Sequence, residues 1–184
     1  MTVLHDAIER YDWPAVLARL ATHAGEAAIA DHHDADGALP LHLAALHGAP
    51  LEVMQALLDA HPAAASTRDE NGDLPLHWAA FHEGCADVVE LLLRAYPEAA
   101  YLTSIYGCLP LHDATLEELE GYPAPLEVVV ALLAAYPEAA LVRTNNGRLP
   151  NLSRYSAPDI RAALAAASSA RRAPALLAWH RLRA

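Results

Sequence analysis

At 184 residues the chain is long enough for a substantial core and short for two independent globular units. Hydrophobic residues make up 54% of it but aromatic ones only 6%, and 42 residues are alanine, a helix-favouring content that argues against a β-sandwich rich in Val, Ile and Thr. The net charge of −11 is uneven: 22 acidic residues face 4 arginines through Val142, 8 arginines face only Asp159 beyond it, and lysine is absent. Such an acidic body does not attract nucleic acid by its general field, so no nucleic-acid partner is expected.

Cys85 and Cys108 have no paired spacing and no metal-ligand pattern around them, which fits reduced thiols in an intracellular, cytoplasmic protein; a nuclear one fits as well. Met1-Thr2-Val3-Leu4-His5-Asp6 carries charge almost at once, so no signal peptide is expected there. Charges and prolines break the apolar runs too often for a transmembrane segment.

The first segment is a degenerate copy of a unit that recurs along the chain. Leu4-His5-Asp6-Ala7 echoes a later Leu111-His112-Asp113-Ala114, and Pro14 suits the first turn of a helix through Val16, Leu17 and Leu20. A terminal unit that departs from the internal pattern is expected to cap a stack. His32-His33-Asp34-Ala35-Asp36 then bridges to the first full copy. Its imidazoles and carboxylates could hold a metal, but adjacent side chains diverge in a loop and spacing supplies no third histidine.

The full copies begin with Gly37-Ala38-Leu39-Pro40-Leu41-His42-Leu43-Ala44-Ala45. Gly72-Asp73-Leu74-Pro75-Leu76-His77-Trp78-Ala79-Ala80 and Gly107-Cys108-Leu109-Pro110-Leu111-His112-Asp113-Ala114-Thr115 come after it at 35-residue steps, and Gly147-Arg148-Leu149-Pro150 is a worn fourth copy. A fixed period of this size marks stacked repeats. Each copy predicts a turn with glycine at positive φ, a short helix opened by proline, and a longer helix stopped at His61-Pro62, Tyr96-Pro97 or Tyr136-Pro137. The expected helix pairs are 40–47 with 51–60, 75–82 with 86–95, and 110–118 with 126–135.

Asp-x-x-Gly-x-Leu-Pro-Leu-His-x-Ala-Ala followed by Val-Val-x-Leu-Leu-Leu resembles the ankyrin repeat, over roughly Leu4 to Pro150. The resemblance implies an all-α solenoid of stacked helix-turn-helix units. Residues 1–36 would be a degenerate N-terminal repeat, 37–71, 72–106 and 107–146 full repeats, and 147–184 a degenerate repeat with capping helices. It departs from the family in two places. Leu39, Leu74, Leu109 and Leu149 replace the threonine that in the family caps the helix and pairs with the histidine, so that capping bond is expected to be absent. A Tyr-Pro-Glu-Ala-Ala form replaces the family's Gly-Ala-Asp turn after the second helix.

Five surplus residues within 117–125 are expected to bulge between the helices of the third copy, as a tolerated insertion or an acidic contact. Beyond Pro150, Pro158–Leu164 reads as a closing helix with Arg161, Arg171 and Arg172 toward solvent. Ala175–Arg183 reads as a basic amphipathic helix, packed on the last repeat or docked on a partner or membrane surface.

No Gly-x-Ser-x-Gly, phosphate-binding loop or His-Glu-x-x-His is present, so neither catalysis nor a cofactor is expected. The recurring His42, His77 and His112 would lie ~8–10 Å apart on stacked helices, too far for shared ligation. The resemblance implies a monomeric protein-interaction scaffold whose partner is a protein, bound through turn tips and the concave face of the first helices. On that face stand Leu46, Phe81 and Leu116, with His47, His82 and Glu117 one residue on. The tips add Asp36, Glu70, Asn71 and Asp73, then Tyr106, Cys108, Asn146 and Arg148. Either these are a contact site anchored by Phe81, with Tyr106 beside it and His82 lending pH dependence, or neighbouring helices cover the apolar row as extra core. The other class of function is a metal-binding or metal-buffering protein using the 11 histidines.

Overall fold

The computed structural model describes residues 3–22, 36–81, 85–116, 124–152, 158–160 and 162. Proline opens each short helix where no N–H donor is needed, giving α3 (Pro40–Leu46), α5 (Pro75–Phe81) and α7 (Pro110–Ala114). Their longer partners are α4 (Leu51–Ala60), α6 (Ala86–Ala95) and α8 (Leu126–Ala135). The degenerate first copy forms α1 (Val3–Glu9) and α2 (Trp13–Thr22). There is no strand among the described residues, and the helices make an all-α stack as expected.

The stack has two layers. The first helices α1, α3, α5 and α7 pack side by side in that order, and α2, α4, α6 and α8 run behind them. Apolar residues at three- and four-residue steps line the seam between layers. Leu57, Leu92 and Leu132, one from each repeat, are all 2% exposed. After each second helix Pro62, Pro97 and Pro137 begin a single 3₁₀ turn, over Pro62–Ser66, Pro97–Tyr101 and Pro137–Leu141. The sequence pattern marked these prolines only as stops. The buried Ala64, Ala99 and Ala139 show that small side chains let these turns settle on the core.

The repeated histidine does two jobs. Nδ1 of His42, His77 and His112 accepts the N–H of Leu39, Leu74 and Leu109 at 3.0–3.1 Å, which places the ring proton on Nε2. The Nε2–H then donates to a carbonyl farther along the chain: Asp73 and Cys108 of the next repeat for His42 and His77, at 3.3 and 3.2 Å, and Val142, near the end of its own repeat, for His112, at 3.1 Å. No leucine side chain caps its helix, as expected, yet the half of the cap that histidine supplies is kept. Leu39, Leu74 and Leu109 are at most 1% exposed, so apolar burial replaces the missing hydroxyl bond.

The turn tips are tied in a ladder. Glu70 N–H donates to the Asp36 carbonyl, Ile105 N–H to Asn71 and Asn145 N–H to Tyr106, at 2.9–3.1 Å. Gly107 shows why a glycine stands here. Its φ is +75°, and an added Cβ would come within 2.8 Å of the Asn145 backbone nitrogen.

Two expectations need correction. Helix α7 ends at Ala114 rather than 118, because Thr115 turns its hydroxyl back onto the Leu111 and His112 carbonyls at 2.9 and 3.1 Å and leaves helical geometry. Helix α3 ends at Leu46, with His47 as its cap. Most of the five-residue insertion, the His32–Asp34 bridge and the basic C-terminal helix lie outside the described residues. Ala124 N–H donates to the Ala114 carbonyl at 3.3 Å, so the chain re-enters beside the point where α7 stops. Of the closing segment, Pro158–Ile160 is helical and Ile160 joins the core.

These contacts set the expected stabilities. Leu92→Ala should cost ~2–5 kcal/mol in denaturant unfolding, whereas Glu127→Ala at an exposed site should stay within about 0.5 kcal/mol. Equal losses would place the core wrongly. His42→Ala orphans the Leu39 N–H and removes the donor to Asp73, so it should cost ~1–3 kcal/mol; a variant as stable as wild type would show that water replaces both bonds.

Candidate functional site

Residues three apart on a helix share a face, so Leu43 and Leu46 on α3, Trp78 and Phe81 on α5, and Asp113 and Leu116 around the end of α7 align across the stack. Leu43 is buried, but Trp78, Phe81, Asp113 and Leu46 are only half-buried. Together with Asp73 and His77 these four line a hollow of about 300 Å³ that spans three repeats.

The walls are held from behind. Trp78 Nε1–H donates to Asp69 Oδ2 at 3.0 Å, and its ring meets His42 edge-on at a centroid distance of 5.7 Å. The other Asp69 oxygen accepts the N–H groups of Asn71 and Asp73 at 2.9 and 2.8 Å, so one carboxylate fixes both the turn and the indole. Ser104 takes the same turn position in the third copy with a hydroxyl only.

The floor is acidic. Asp113 Oδ2 is sealed from solvent and meets no hydrogen-bond donor among the described residues. Burial, and then the Asp73 charge, hold the Asp113 carboxyl well above the usual carboxylate range. Burial also raises Asp73 to about 7, with Asp69 adding to the rise and Arg68 opposing it. Burial lowers His77 to about 4, against the raising effect of its bond to the Cys108 carbonyl. It therefore stays neutral, as its hydrogen bonds require.

Asp73, His77 and Asp113 place ligand atoms within 4.8 Å of one another. A metal would have to draw His77 away from the Leu74 N–H or the Cys108 carbonyl, since both ring nitrogens are occupied. What stays available is two carboxyls beside aromatic walls, a poor match to hard cations that want six or more oxygens. Chemically the hollow offers negative charge behind a face for stacking.

The remaining residues named from sequence are distributed unevenly. Leu46, Phe81 and Asp73 meet in the first hollow. Tyr106, Cys108, Leu116, Asn146 and Arg148 line a second, of about 670 Å³, toward the fourth copy. Tyr106 thus does not stand beside Phe81 as expected: the tip ladder carries it to the next hollow, with its hydroxyl 3.4 Å from Asn71 Oδ1. His47 is half-buried and meets the Tyr11 hydroxyl at 3.2 Å, which turns it toward the capping repeat. Asp36 and Glu70 are exposed at the tips, Asn71 is half-buried, and His82 and Glu117 lie outside the described residues. Trp78 and Asp113 were missed. The signal for them was the variable position directly after the repeated histidine, three residues before the Phe81 row.

A family model described as ankyrin repeats in three copies matches residues 4–104, more than half of the chain. The chain belongs to the ankyrin repeat family. The match stops short of the third full copy, whose membership rests on α7, α8 and the His112 bridge. No curated protein matches the chain. Ankyrin repeats are generally protein–protein interaction modules and typically non-catalytic. No helix among the described residues is long and apolar enough to cross a membrane.

The titrations carry a sign that can be checked. Folded Asp73 keeps a proton that the unfolded chain releases, so this group lowers stability as pH rises from 3.8 through about 7. His77 acts oppositely: its contribution is full above 6.5 and is lost as pH falls toward 4. The groups facing Asp73 are Asp69 and Arg68 of its own turn, His77 on α5, His42 on α3 and Asp113 on α7. Asp73→Asn should therefore raise Tm over wild type at about pH 8, with the gap closing near pH 4. A gap independent of pH would show that Asp73 titrates as an ordinary exposed carboxylate.

Proposed function

We propose that this ankyrin chain binds a protein partner across the exposed face of its first helices and the adjoining turn tips, with Phe81 as the anchor. The hollow at the centre of that face carries the reading. It draws side chains from three successive repeats, and large aromatic groups stand half-exposed there on a framework pinned by buried hydrogen bonds. A rigid aromatic wall loses little entropy on contact, which is why such residues dominate binding energy. Tyr106 at the neighbouring tip, 56% exposed, extends the same surface. In this reading residues 1–184 act as one non-catalytic monomeric unit of an intracellular, cytoplasmic scaffold, in keeping with free Cys85 and Cys108.

The test is quantitative binding of the captured partner, measured by calorimetry. Phe81→Ala should weaken it by more than ~1–2 kcal/mol while helicity and Tm stay near wild type. Undiminished affinity in that variant, with loss on altering Arg181 and Arg183 instead, would overturn the assignment of the face.

A further inference from the structure

The hollow between α3, α5 and α7 pairs features that an apolar contact alone does not explain. A hydrophobic side chain pressed into it would shut away from water the carboxyls of Asp73 and Asp113 that line it and supply them no donor, which is unfavourable. Resting on the reading that this face docks a protein, we propose that the hollow receives an arginine side chain of the partner. Its guanidinium lies against the Trp78 and Phe81 rings and pairs with the carboxyls of Asp73 and Asp113.

Four observations carry this. First, the half-buried Asp113 lines a cavity large enough for a side chain, and its carboxyl oxygen Oδ2 meets no donor among the described residues. Second, the described hydrogen bonds of Asp73 are made by its backbone, with Asp69 and His42, so its carboxylate is left to the hollow. Third, the cation that acts on Asp73 makes its described hydrogen bonds elsewhere: the Arg68 guanidinium donates to the Gly72 and Thr103 carbonyls, the latter at 2.8 Å. Fourth, the overall charge favours a cationic group, since the chain through Val142 holds 22 acidic residues and 4 arginines.

Arginine fits better than its rivals. A metal ion would need a His77 nitrogen, and both are engaged. A lysine ammonium is a compact, strongly hydrated charge. A guanidinium is flat, more weakly hydrated, stacks on aromatic faces and offers donors to two carboxylates at once. The indole is fixed by Asp69, so its face is pre-oriented for that stacking. Docking a cation also draws the protons off Asp73 and Asp113, so complex formation should release protons near neutral pH.

The experiment uses the full ¹⁵N-labelled chain and the Trp78 indole N–H resonance, assigned with Trp78→Phe. N-acetyl-arginine methylamide should move that resonance saturably, with a Kd of roughly 1–10 mM as befits a single side chain. Its neutral isostere, N-acetyl-citrulline methylamide, should not. Asp113→Asn and, independently, Asp73→Asn should weaken the arginine probe by roughly tenfold or more with the fold intact by circular dichroism. The inference is overturned by no shift at ~50 mM arginine probe, by an equal response to citrulline, or by a lysine probe that binds more tightly. Unchanged binding in both Asp variants, or saturation by Ca²⁺ or Zn²⁺ without any response to arginine, also overturns it. If the arginine probe fails while Phe81→Ala still weakens the partner, this inference falls and the docking face stands. If the probe binds while the partner ignores Phe81→Ala, the docking reading falls instead.

Discussion

The stack depends on the bridge made by the histidine of each Leu-Pro-Leu-His segment. A neutral imidazole has one acceptor and one donor on opposite sides of a rigid ring, and in His42 and His77 the two face different repeats. The acceptor closes the start of its own helix, and the donor holds the following turn. Burial keeps the His77 ring neutral, and neutrality is what lets it accept on one side and donate on the other. Protonation of His77 would remove the acceptor for the Leu74 N–H and place charge in the core. The pattern tolerates leucine in place of a capping hydroxyl because the histidine half of the cap persists and the leucine fills the seam.

This bridge also sets up the surface. Drawing His77 inward turns the next residue, Trp78, and the one a helical turn on, Phe81, toward the exposed side of α5. The same register in the following copy puts Asp113 beside them, where its neighbours on α5 deny it water. A repeat architecture thus converts a variable position in each copy into adjacent groups in space. The hollow is composite, with one apolar wall from the first repeat, the aromatic pair from the second and a carboxyl from the third.

The acidic floor is a local cost that the repeat itself does not need. The equivalent of Asp113 is Leu43 in the first copy and Trp78 in the second, both compatible with packing. Burial and a second carboxyl push the Asp113 carboxyl above the usual range, so the group costs stability as pH rises. The tip ladder shows the opposite case: its groups find partners within the chain, and its exposed side chains vary from copy to copy.

Much was legible in the linear sequence because the information was periodic and local. Glycine at positive φ, proline at a helix start, apolar steps of three and four and prolines that end helices are short-range constraints. Repeated in register, they determined the all-α stack and the helix pairs. The early end of α7 was less visible, since it turns on one threonine hydroxyl choosing the backbone behind it. Only the tertiary structure decided which residues line each hollow. Whether Tyr106 stands by Phe81 or in the next hollow depends on how tips join across repeats, and whether Asp113 is solvated or sealed depends on side chains 32 and 67 positions earlier, Phe81 and Leu46. Backbone periodicity places a residue on a face, but the donors and charges that surround it come from other repeats, and those meet only when the stack is complete.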